Sequence, residues 1–209
     1  MVKTLQDILF FCSAWVIVIP LIPAILLFKK FTPAYRVLSI HIYVACVAEL
    51  ASYALSKYRI PNLPLLHIYT LIEFSLLYLF YEFYFNRFFP VWILRSIAAL
   101  FHVFSVINSL FIQPVTGFNS YARAAEAFFI ILFCLLCFYK LSQEQRPAIT
   151  WINTGLLLYF SGAFILFILS NYILKFSTEL NYHIWAVHAF LSVLMYLFIA
   201  IGLWKARKS

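Results

Sequence analysis

Charge is what this chain has least of. Only 11% of its 209 residues are Asp, Glu, Lys or Arg, and 66% are hydrophobic. A soluble domain carries about 25% charged residues, so a soluble globular fold is excluded and an integral membrane protein is expected. Aspartate is nearly missing. Asp7 is the only one, so a Ser/His/Asp triad has no third member. Glycine is scarce, at four residues, which leaves no phosphate-cradling loop and no G-x-x-x-G crossing motif. No lysine lies between 183 and 203, which removes the Schiff-base partner of a retinal protein. Neither H-E-x-x-H nor a paired E-x-x-H occurs.

What is present is apolar sequence in membrane-length runs. A span needs about 20 such residues. Seven fit, at 8–28, 37–57, 65–85, 91–111, 119–139, 148–174 and 183–204. The fold class expected is all-α: a polytopic membrane protein, one seven-transmembrane-helix bundle filling 1–209. No stretch among these residues remains for a soluble kinase or nuclease. The first run resembles a signal peptide only superficially, because Lys29 and Lys30 follow it rather than precede it. Pro20 and Pro23 are expected to bend it, and Ser161-Gly162 to kink the sixth span.

The net charge of +8 is read as topology and lipid contact rather than nucleic-acid binding. With the N-terminus outside, the inner segments hold Lys29, Lys30, Arg36, Arg87, Lys140, Arg146, Lys205, Arg207 and Lys208. The outer ones hold Lys3, Lys57, Arg59 and Lys175. That bias predicts N-out and C-in. The four cysteines all fall in apolar runs, where a thiol behaves as a small hydrophobe.

Ionisable residues within spans are the functional signal. One charge at mid-membrane costs about 2.5–3.5 kcal/mol on the insertion scale, so such groups face a cavity or one another. Arg123 and Glu126 share a helix face at i, i+3. On the N-out topology Glu49, His67, Glu73, Arg123, Glu126 and His188 fall in the outer half of the membrane. They are the expected lining of one outward polar pocket. Glu82 and Arg95 flank an inner link and read as surface charges. His41 and His183 lie near an interface and read as structural. Asn153 and Asn171 point the same way along the sixth span, with Phe160 and Phe164 between them.

Three chemistries fit the pocket. In the first, an ion-pair network binds a small or lipidic ligand, and the basic inner loops pass a helix shift to a cytoplasmic or membrane signalling partner. In the second, a metal such as zinc or iron is held by His67, Glu73, Glu126 and His188. It activates water in an intramembrane enzyme resembling a lipid hydrolase. His67 and Glu73, however, are six apart, about 120° around a helix. In the third, the chain is a small oligomeric transporter.

The stretch 118–126, with Trp151-Ile152-Asn153-Thr154-Gly155, Ser170-Asn171-Tyr172 and 185–188, resembles small seven-helix bacterial inner-membrane proteins of unassigned function. They are similar to sensory input modules associated with histidine kinases. The resemblance implies a helical bundle and a role in signalling, and it supplies no catalytic residues.

Overall fold

The computed structural model describes residues 2–85, 88–144, 146–173 and 176–207, with 2–5 and 171 described by backbone alone. Among the described residues, seven helical spans are long and apolar enough to cross a membrane. Their outward faces carry large apolar side chains such as Trp92, Leu110 and Phe111, a surface suited to hydrocarbon rather than water.

The first span is two helices, α1 (Val2–Trp15) and α2 (Val18–Leu26), joined at Val16–Ile17. Pro20 is the cause. It has no N–H to give the Val16 carbonyl four residues back, and its ring crowds that carbonyl. The Val16 oxygen instead accepts from the Ile19 N–H at 2.9 Å. The second span, α3 (Pro33–Lys57), begins with proline in the first turn, where the missing N–H costs nothing. It closes on Arg59 at φ 56. Arg59 N–H bonds Ser56 at 3.0 Å and Ile60 N–H bonds Leu55 at 2.9 Å, a Schellman closure made without glycine.

The third span is α4 (Leu63–Phe85). The fourth, α5 (Val91–Ile107), stops short of the expected 111 and ends in a π turn at Asn108–Ile112. There the Gln113 N–H bonds the Asn108 carbonyl at 2.7 Å, five residues back. The remaining spans are α6 (Ser120–Leu141), α7 (Pro147–Ile173) and α8 (Thr178–Ala206). Ser177 caps α8, accepting from the Leu180 N–H at 3.3 Å. α7 stays helical through Ser161-Gly162. Arg87, Leu174, Lys175 and Lys208 lie outside the described residues, as do the side chains of Lys3 and Asn171.

The packing closes on itself. α2 meets α3, α3 meets α4, α4 meets α6, α6 meets α7, α7 meets α8, and α8 returns to α2. α5 stands outside this ring, against α4 and α6. The α7–α8 crossing is the most extensive, and single glycines serve it. A Cβ on Gly155 would sit 2.7 Å from Phe198 Cβ, and one on Gly202 would sit 2.7 Å from the Ala148 carbonyl oxygen. Single glycines facing a partner helix permit close approach without the G-x-x-x-G spacing.

Candidate functional site: an acid-rich cavity on a buried ion cluster

Inside the ring, three helices bring ionisable groups together. Arg123 and Glu126 stand one turn apart on α6, and Arg123 Nη1 donates to Glu126 Oε2 at 2.9 Å. The same Nη1 donates to Glu73 of α4. Glu73 Oε1 also accepts from Tyr69 Oη, one turn earlier on α4, at 3.0 Å. His41 of α3 brings Nε2 to within 3.5 Å of that oxygen. The Phe167 ring of α7 lies under the guanidinium, with 4.5 Å from Cζ to the centroid. All four ionisable groups are buried, and Glu126 is fully inaccessible.

The cluster is closely paired but not saturated. Glu126 Oε1 and His41 Nδ1 are buried without a hydrogen-bond partner among the described residues. Two acids, Glu73 and Glu126, share the one guanidinium. Buried charges of this kind hold their place only through mutual pairing and hydrogen bonds.

Above the cluster is a cavity of about 440 Å³, within the range of small-molecule sites. Glu73 and Arg123 form part of its lining. Its walls include Tyr69, Tyr159, Trp185 and Tyr196, and Glu49, His188 and Ser192 add polar groups. Asn62 and Phe118, also lining residues, place the cavity at the end of the bundle that carries the α3–α4 and α5–α6 links. Phe118 stacks on Trp185 with centroids 5.9 Å apart. His188 Nε2 lies 3.1 Å from Tyr159 Oη, and its ring is edged by Trp185 and Phe167. Glu49 is exposed, and among the described residues no hydrogen bond or ion pair engages it.

The structure thus places Glu49, Glu73, Arg123 and His188 on one cavity, with Glu126 directly behind Arg123. His67 is not there. It points to the other side of α4, where Nε2 donates to the Gly117 carbonyl at 3.2 Å and Nδ1 accepts from Ser109 at 2.8 Å. Both ring nitrogens are occupied, so the residue has no lone pair for a ligand. The expected metal set of His67, Glu73, Glu126 and His188 does not converge. Among the described residues no three His, Cys, Asp or Glu gather as metal ligands. The 120° between His67 and Glu73 decides this, because α4 turns them toward different neighbours.

His41, expected near an interface, is instead buried against Glu73. The helix starts at Pro33 rather than 37, four residues that move His41 about 6 Å deeper along the axis. The i, i+4 spacing of Tyr69 and Glu73 is the sequence signal that points to the tyrosine. The other wall aromatics carry no sequence signal in a chain that is 21% aromatic.

The remaining polar residues serve packing. Asn153 accepts from Tyr81 Oη at 2.8 Å and donates to the Cys134 carbonyl at 3.0 Å, tying α4, α6 and α7. Glu82 pairs with Arg95 at 3.0 Å across the α4–α5 link; the arginine is 68% exposed, as expected of a surface charge, but the glutamate only 17%. No family model, curated protein or solved structure matches this chain, so the site rests on its own geometry.

Proposed function

We propose that this chain is a receptor-like membrane module that binds a small or lipidic ligand in the cavity above Arg123. The N-terminus and the cavity mouth face outward, in a bacterial inner membrane. The observation that carries this is the coincidence of a ligand-sized void with a buried ion cluster. Charged groups at membrane depth need a cavity or one another, and this cluster has both. The bias of Lys and Arg toward the opposite end supports the orientation.

α8 is the natural relay to a cytoplasmic or membrane signalling partner. It contributes Trp185, His188, Ser192 and Tyr196 to the cavity and continues unbroken to Lys205 at the far end. A ligand that favours one placement of α8 shifts the position of that basic end.

The test is a thermal-stability screen of the purified full chain against amines, carboxylates, sugars and short-chain lipids. Ala48→Phe and Ser192→Phe, which fill the cavity, serve as controls. A ligand of the cavity raises the melting temperature of the wild type and not of the filled variants. A screen in which every stabilising compound acts equally on all three proteins removes the proposal. A reporter fused at Ser209 that is active only outside the cytoplasm reverses the orientation.

A further inference from the structure

We propose that the cavity is selective for small organic cations, an ammonium group on a short apolar or hydroxylated body. This rests on the cavity being a ligand site and names the class of ligand it takes.

Charge comes first. Arg123 is the cavity's only lysine or arginine among the lining residues, and its Nη1 is already shared by Glu73 and Glu126. Its positive charge is spent within the cluster. It can offer its remaining N–H groups to a neutral oxygen, but it does not make the void positive. Glu49 adds an acid that no hydrogen bond or ion pair engages among the described residues. The void is thus bordered by two acids, Glu49 and Glu73, and by one guanidinium that Glu73 and Glu126 already engage. An anion entering here meets Glu49 and Glu73 without a free cation to receive it.

The walls supply the second half of the argument. Tyr69, Tyr159, Trp185, Tyr196 and Phe118 line the space. Aromatic faces attract cations through the ring quadrupole, most strongly when water is excluded. Indole and phenol rings beside carboxylates are the surroundings in which an alkylammonium loses least on leaving water. The set of three converging ligands that a metal ion needs is missing among the described residues.

The experiment introduces Ser192→Cys, a half-buried lining position, into the full chain with the accessible Cys12 and Cys46 changed to alanine. Purified protein is treated with two methanethiosulfonates, one ending in trimethylammonium and one in sulfonate. Each rate is divided by that of the same reagent on a small free thiol. We expect the normalised cation-to-anion ratio to be about tenfold or more, the lower end of what charge focusing in a cleft gives, and to fall to about threefold or less in Glu49→Gln. Choline should slow the modification, and its uncharged isostere 3,3-dimethylbutan-1-ol should not.

A normalised ratio near one, or equal protection by the two isosteres, overturns cation selectivity and leaves a cavity that binds by shape. Preference for the sulfonate overturns it in the opposite sense. Reaction with neither reagent means a closed void, which defeats the ligand-site proposal itself.

Discussion

α4 carries two buried polar clusters on different faces, and they are built on opposite principles. On one face, His67 joins Ser109 and Gly117, while Asn119 accepts from Asn108 at 3.0 Å and donates to Thr70 at 3.2 Å. Gln113 accepts from the Tyr121 N–H at 3.0 Å. This knot is neutral. It fastens the π turn and the link after it onto α4. On the other face, Glu73, Arg123, Glu126 and His41 are ionisable, and the cluster borders a void through Glu73 and Arg123. Among the described residues each cluster leaves buried atoms unmatched, Asn108 Oδ1 in the neutral knot and Glu126 Oε1 and His41 Nδ1 in the charged one, so charge and the void set them apart. A neutral network of directional bonds locks a backbone in place. On the proposed reading, a charged cluster beside a cavity responds to what enters.

That contrast can be broken at several points. The largest effect is expected from Arg123→Ala, which strands two buried carboxylates. Removing one partner of a buried pair costs about 3–5 kcal/mol, so the variant should lose most of its folded yield and melt far below wild type. Arg95→Ala, at an exposed pair, should move the melting temperature by no more than about 1 kcal/mol implies. Matching losses in the two variants would show that burial of the ion cluster does not matter.

Next comes the helix crossing. Gly202→Val places side-chain atoms against the Ala148 carbonyl and Ile152, and overpacking of this kind costs about 1–3 kcal/mol. Denaturation in mixed detergent should show the loss, with α8 displaced. His67→Ala should follow. It leaves a serine hydroxyl and a carbonyl short of a partner, at about 1–3 kcal/mol, while the modification ratio at Ser192→Cys stays unchanged. If that ratio collapsed as well, the two faces of α4 would not be independent. The smallest effect on stability belongs to Glu49→Gln, within about 0.5 kcal/mol as for an exposed site. Its consequence should appear only in charge selectivity.

The span count was legible because hydrocarbon thickness imposes a length and a composition that a sequence displays directly. The end of the bundle where acids, arginine and histidines meet was legible too, since depth follows from position along a span. Span edges were harder. Pro33 at the start of α3 reads as punctuation, yet it begins the helix, and His41 is carried inward with it. The break at Val16–Ile17 falls one turn before the proline that causes it, because proline disturbs the carbonyl behind it.

By itself, the sequence determined that there are seven apolar helices, where the basic residues accumulate, and that Glu73, Arg123 and Glu126 need partners. All of these follow from transfer energies, which are local and additive along a chain. The rotation of each helix about its axis was decided only when the ring closed. Rotation sends His67 to a neutral knot, gives Arg123 to two acids at once and brings Glu49 to a void walled by aromatics. Packing between helices sets those angles, and packing is a property of pairs of surfaces that no single stretch of sequence contains.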